Sequence, residues 1–377
     1  MSTLNPQTFK TTLEKNGVDF FVGVPDSLLA DFCAVIQDEV PAERHLIAAN
    51  EGAAVGLALG HYLASGRLGA VYMQNSGTGN AVNPLLSLAA PQCYATPMLL
   101  IVGWRGQPGV KDEPQHKQQG AVQEALFKAM EIPYLVLSTD EAEAAEQVKR
   151  AVTESKEKSS PFALLVRKGS FSSYKLKQTV EPKFKLTREQ AVELLIDQTD
   201  SDDIIVSTTG KCSREVFELR EARKQGHESD FLTVGGMGHC SQIALGVALE
   251  KSQRRVLCFD GDGAAIMHLG SLALIGQSNA KNFHHIVINN GAHDSVGGQP
   301  TVGLEIDFVK IALATGYKSA KSLRDDNTEE YKKAIKEFLS EDGPNFLEIC
   351  VRKGARKDLG RPTTTPIQNR DAFMKFV

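Results

Sequence analysis

The residues best suited to chemistry lie in Gly261-Asp262-Gly263 and, about one strand–turn–helix–strand unit further on, in Asn289-Asn290. An apolar run, Val256 to Phe259, leads into the first group, and another, His285 to Ile288, leads into the second. Both groups therefore fall where buried strands end. In an open parallel sheet, adjacent strand ends share the edge at which ligands bind. Asp262 offers a hard carboxylate, Asn290 an amide oxygen, and the glycines let a backbone come close. That set suits a Mg2+ ion that also holds phosphate oxygens.

Three further stretches carry candidates. Glu51 follows a short apolar strand at His45 to Ala48 and opens a helix of small residues, Gly52 to Gly60. So little bulk cannot build a wide apolar face, and the helix is expected to pack closely on another element or another subunit. Thr233 to His239 is a glycine-rich turn with Met237 at its centre. Gly103 to Gln119 reads as a long polar loop after a strand, and it holds Lys111 and His116. The imidazole of His116 titrates near neutrality and could move a proton.

The elements that position these residues alternate strand and helix along the whole chain, the pattern of parallel sheets covered by helices on both faces. A helix at Pro6–Asn16 and a strand at Asp19–Val24 open the series, and Ser27 is expected to cap the next helix. From Gly169 to Leu186 the chain turns polar and lysine-rich, and the alternation then restarts. The expected organisation is a first α/β domain over residues 1–168, a linker over 169–186 and a second α/β domain over 187–377. An internal echo supports two similar halves: Phe162 to Gly169 (FALLVRKG) resembles Leu347 to Gly354 (LEICVRKG) about half a chain later.

Composition narrows the class. The chain has 377 residues, 42% apolar and 23% charged, which is that of a globular protein with room for two cores. Lys+Arg 42 against Asp+Glu 46 gives a net charge of -4, which argues against a general nucleic-acid binder. No apolar stretch is long enough to cross a bilayer, and no secretory leader is apparent, so a cytoplasmic protein is expected. The six cysteines are scattered without metal-type spacing and are expected to be reduced packing residues.

Gly261-Asp262-Gly263 followed at this distance by Asn289-Asn290 resembles the diphosphate-binding motif of thiamine diphosphate enzymes. The resemblance implies two doubly wound parallel-sheet domains of similar architecture, one for the pyrimidine and one for the diphosphate, without the middle domain of larger members. It implies Asp262 and Asn290 as side-chain ligands of Mg2+, with the Ala292 carbonyl as a third. Gly236, Met237, Gly238, Gly261, Gly263, Ala264 and Asn75 would line the cofactor, Met237 wedged beneath its bend. Glu51 would hold the pyrimidine nitrogen N1′ and so activate the cofactor.

The opening Gly23-Val24-Pro25-Asp26-Ser27, the stretch Asn290 to Gln299 and the basic stretch Arg352 to Arg361 narrow the resemblance. They are similar to the branch that decarboxylates 2-oxo acids bearing a phosphonate on the third carbon. There the product leaves an unfavourable C–P bond-forming equilibrium upstream, in phosphonate biosynthesis of the 2-aminoethylphosphonate type. A related branch takes the sulfonate instead, usually with its two halves on separate subunits, so a fused chain favours the phosphonate. Asp26, His116 and Asp294 are alternative proton donors or substrate-orienting groups. Ser27, Lys111, Arg352, Arg356 and Arg361 are candidates for the substrate's charged group. The resemblance further implies a homo-oligomer, a dimer or larger, with the cofactor held between subunits. A non-catalytic cofactor-binding protein is the alternative of another class.

Overall fold

Twelve strands form two separate sheets in a computed structural model that describes residues 3–177, 183–325 and 327–377. The chain divides into two compact units, Met1–Val180 and Glu181–Val377. The expected linker, 169–186, spans this division, and its residues 178–182 lie outside the described residues. Residues 169–177 are not polar filler: Phe171 is buried against Phe9 and Phe32, and the Tyr174 hydroxyl donates to Asp38.

The first sheet contains β1 (Phe20–Gly23), β2 (His45–Ile47), β3 (Gly69–Gln74), β4 (Met98–Gly103), β5 (Tyr134–Val136) and β6 (Pro161–Val166). Every pairing is parallel and the order is β2-β1-β3-β4-β6-β5. Alternate residues feed two cores. Phe21, Tyr72, Leu99, Ile101, Phe162 and Leu164 face one layer of helices, while Val22, Val71, Leu100, Val102 and Leu165 face the other. Both faces are covered, which is why these strands read as continuous apolar runs.

The second sheet contains β7 (Ile204–Ser207), β8 (Asp230–Leu232), β9 (Val256–Gly261), β10 (Phe283–Asn289), β11 (Ser319–Leu323) and β12 (Asn345–Cys350). Its order, β11-β12-β10-β9-β7-β8, is the first sheet's order read from the other end. Strand for strand, β7 to β12 therefore correspond to β1 to β6. The echo FALL and LEIC lies on β6 and β12, equivalent strands of the two sheets. The chain thus contains two doubly wound units of one topology. Among the described residues no helix is long and apolar enough to cross a membrane, and all six cysteines are free thiols, only Cys93 being exposed.

The structure departs from expectation where signals are local. Helix Pro114–Ala129 begins well inside the expected loop, because Pro114 sits at its first turn. Ser27 does not cap helix Ala30–Glu39, whose start makes no side-chain bond; its hydroxyl serves Arg105 instead. Helix Phe308–Thr315 buries Phe308 and Ala312 one turn apart, and β11 is a short polar edge strand. Helix Pro366–Phe376 closes the chain behind a Thr365/Gln368 capping box.

One consequence is a pH-dependent stability. His284 on β10 is 2% exposed, edge-on to the Phe338 ring, and burial lowers its imidazole from 6.5 to about 4. Between those values the unfolded chain binds a proton that the native chain does not. The group's contribution is therefore present above about 6.5 and lost as pH falls toward 4. Thermal melts should show a falling midpoint from pH 7 to 5, with a shallower slope in His284→Asn. An identical slope in the variant would assign the loss to other groups.

Candidate active site

In the first unit the chemistry gathers at the C-terminal edge of the sheet. The order β2-β1-β3 makes successive connections leave in opposite directions from β1 and β3, the arrangement that opens a crevice at a strand edge. Asp26 lies just after β1 and is wholly buried; Gln74 at the end of β3 donates to its Oδ1 at 2.6 Å and the Leu28 N–H to its Oδ2 at 2.9 Å. Burial raises its carboxyl above the ordinary range against those hydrogen bonds, so it keeps a proton to higher pH than an exposed aspartate.

Glu51 opens helix Glu51–Ser65, which Asn50 caps by accepting the Ala53 N–H at 2.9 Å. The carboxylate is 5% exposed and accepts from Asn80 Nδ2 at 2.8 Å. A Cβ on Gly77 would lie 2.3 Å from Glu51 Oε1, so only glycine leaves room for the carboxylate there. Among the described residues no cation pairs with Glu51. A carboxylate buried beside an amide and no counter-charge is placed to exchange a hydrogen bond with a ring nitrogen.

His116 is not on an exposed loop. It lies on the first turn of helix Pro114–Ala129 and is 7% exposed. Its Nδ1 has no hydrogen-bond partner among the described residues, and burial, helped by Arg105, lowers its pKa. Lys111 is exposed. Asn75 is turned wholly to Arg105, its Nδ2 donating to the carbonyl at 2.9 Å and its Oδ1 accepting the N–H at 3.0 Å.

The second unit carries the residues of the expected anchor. Asp262 is 2% exposed, and its Oδ2 accepts from the Thr301 hydroxyl while its Oδ1 faces the Asn290 N–H. Burial pushes its carboxyl up to about 6. Asn290 Oδ1 accepts the Ala292 N–H at 3.0 Å and its Nδ2 donates to Asp294 at 2.8 Å. Asn289, the first of the pair, serves the scaffold and ties β10 to Glu348 and the Gly303 carbonyl, each at 2.7 Å. Asp294 accepts from Arg188, Asn290 and the Gly354 N–H. All three donors meet on its Oδ2, which ties the Asn290 amide to Arg188 and to the Gly354 backbone.

Met237 meets the motif directly. A Cβ on Gly263 would lie 3.3 Å from the Met237 methyl carbon and 3.1 Å from the His293 ring, so Gly263 keeps an open floor beneath both. Gly235, Gly236 and Gly238 have φ of 75°, 58° and 86°, which permits the tight loop that presents Met237. Ala264 is buried behind the turn. Behind the anchor, Asp260, His285 and Tyr317 form an enclosed chain, His285 Nδ1 lying 2.9 Å from the Tyr317 hydroxyl. Arg356 is committed to Glu189, Glu218 and Asp358, whereas Arg352 is exposed.

The donor set fits the implied metal. A buried carboxylate with no cationic side chain paired to it among the described residues, an amide oxygen and a glycine floor are what a small hard cation carrying phosphate oxygens requires. Sequence reasoning missed Asn80, Gln74, Arg105, Asp112, Thr301, Arg188 and His293. They are spread over β3, the helices Thr78–Pro84 and Arg188–Ile196 and several loops, and apart from His293 no short spacing links them to the motif.

Residues 7–132 match the family described as thiamine pyrophosphate enzyme, N-terminal TPP binding domain, and residues 208–349 its C-terminal TPP binding domain. The chain is 35% identical to a phosphonopyruvate decarboxylase of Streptomyces viridochromogenes, over 96% of this chain and 92% of the relative. It is equally 35% identical to one of Streptomyces hygroscopicus, over 96% and 90%. A sulfopyruvate decarboxylase of Methanosarcina acetivorans is 26% identical over 94% and 93%. Because that match spans both halves in one chain, fusion of the halves does not by itself separate phosphonate from sulfonate.

Proposed function

The chain belongs to the thiamine pyrophosphate enzymes, and from that premise we propose that it decarboxylates 3-phosphonopyruvate to phosphonoacetaldehyde and CO2, using thiamine diphosphate and Mg2+. The observation that carries this reading is the 35% identity over almost the whole chain to two phosphonopyruvate decarboxylases. When bound, thiamine diphosphate supplies the electron sink needed to break a carbon–carbon bond beside a carbonyl. Asp262, Asn290 and the Ala292 carbonyl would hold the metal, and Met237 the bend of the cofactor. Glu51 would hold a proton at the pyrimidine nitrogen.

The carbon that loses CO2 takes up a proton. Asp26 is the better donor in this proposal, because burial keeps its carboxyl protonated to higher pH, while burial favours the neutral form of His116. Asp294, whose Oδ2 accepts from Arg188, Asn290 and the Gly354 N–H, serves as a positioning residue. The protein would work in the cytoplasm as a homo-oligomer; Leu57 and Leu63, exposed on the helix that starts at Glu51, support an apolar contact there.

The test is an assay for phosphonoacetaldehyde with and without thiamine diphosphate and Mg2+, run against sulfopyruvate. Phosphonopyruvate is expected to give the higher kcat/KM, with turnover lost when either cofactor is withheld. A preference for sulfopyruvate would move the chain to the sulfonate branch. Turnover of neither would overturn the reading.

A further inference from the structure

We infer that Arg105, held by Asp112 and Ser27, is the subsite for the tetrahedral oxyanion at the far end of the substrate. This rests on the substrate class proposed above. Arg105 stands directly beyond β4, on the same sheet edge as Asp26 and Glu51.

Its guanidinium is fixed before any ligand arrives. Nε and Nη2 donate to the two oxygens of Asp112 at 2.8 and 2.5 Å, and Nη1 donates to Ser27 Oγ at 2.7 Å. Asp112 is itself pinned by the N–H groups of Gly106 and Glu113, each at 2.8 Å. Asn75 clamps the Arg105 backbone from both sides. These bonds hold the Asp112 carboxyl well below the ordinary range although burial opposes it, and they raise Arg105, so both groups stay ionised.

The donors left over match a phosphonate. A guanidinium has five N–H groups, and three are used by Asp112 and Ser27. One remains on each terminal nitrogen, a pair suited to two oxygens of one tetrahedral anion. Ser27 accepts from Arg105 and so keeps its own O–H to donate to a third oxygen. The Arg105 side chain is 17% exposed, buried enough to strengthen these bonds and open enough to be reached. A loop staple alone would need the fork on Asp112 but not the bridge to a hydroxyl at the end of another strand.

Arg105→Met is expected to raise KM for phosphonopyruvate roughly 10- to 100-fold, the range of a lost charged hydrogen-bond pair. Thiamine diphosphate affinity by calorimetry should stay within a few fold. Inhibition by phosphonoacetate, which keeps the charged head and lacks the keto group, should weaken in parallel. Arg105→Lys, which keeps the charge without the fork, should fall between, and it serves if the methionine variant fails to fold. A KM unchanged in both variants, or a loss confined to kcat and cofactor affinity, overturns the subsite. If wild type prefers sulfopyruvate and Arg105→Met raises that KM instead, the substrate reading fails and the subsite stands. Wild type inert toward both acids removes the two together.

Discussion

Glu51→Gln is expected to cut turnover by about three orders of magnitude while leaving thiamine diphosphate affinity within a few fold. The substitution keeps size and shape, and the new amide oxygen can still accept from Asn80 Nδ2, which donates at 2.8 Å in the native protein. The close approach to Gly77 also tolerates an isosteric group. What the amide cannot do is carry a titrating proton, and a positioned acid or base is worth roughly 10^2 to 10^4 in rate. Two measurements separate role from fold: calorimetry of cofactor binding, and exchange of the thiazolium C2 proton in the bound state followed by NMR. Exchange as fast as in wild type would sink the assignment of Glu51, and the non-catalytic alternative would regain its place.

Asp262→Ala should act on binding rather than on chemistry. The carboxylate is the one acidic side chain of the anchor, oriented by the Thr301 hydroxyl and the Asn290 N–H. Without it the metal retains an amide oxygen and a carbonyl, too little charge to compete with water. Affinity for Mg2+ and thiamine diphosphate together is expected to fall at least about 100-fold. Thermal melting reads this without turnover: saturating a site at 100 times its Kd stabilises by about 2.7 kcal/mol. Wild type should show that shift with both additions present, and Asp262→Ala should show almost none. A full shift in the variant would mean that the anchor lies elsewhere.

These residues differ in how far sequence can reach them. Asp262, Asn290 and Met237 sit among glycines at the ends of apolar strands, so the local pattern already marks where the chain turns at a sheet edge. Glu51 is legible because a lone acid opens a helix of small residues. Asp26 is legible without its partner, Gln74, because the bond between them joins two strands that are neighbours only in the fold. His116 reads as a loop residue because the composition of 103–119 is polar, although Pro114 is a helix-start signal. The basic stretch from Arg352 reads as an anion site, whereas the structure pairs Arg356 with Glu189 and Glu218.

By itself the amino-acid order determined that two α/β units repeat one plan, and it marked the turn after β9 as the candidate place for a metal-held diphosphate. Those conclusions rest on strand-length apolar runs and glycine turns, which are properties of neighbours along the chain. The tertiary structure alone decided the surroundings. It brought Arg105 to Ser27 and Asp112, Asn80 to Glu51, and Arg188 to Asp294. Parallel strands deliver their C-terminal turns to a common edge in an order that the chain does not follow. Groups far apart in sequence therefore become hydrogen-bond partners only once the sheet has chosen that order.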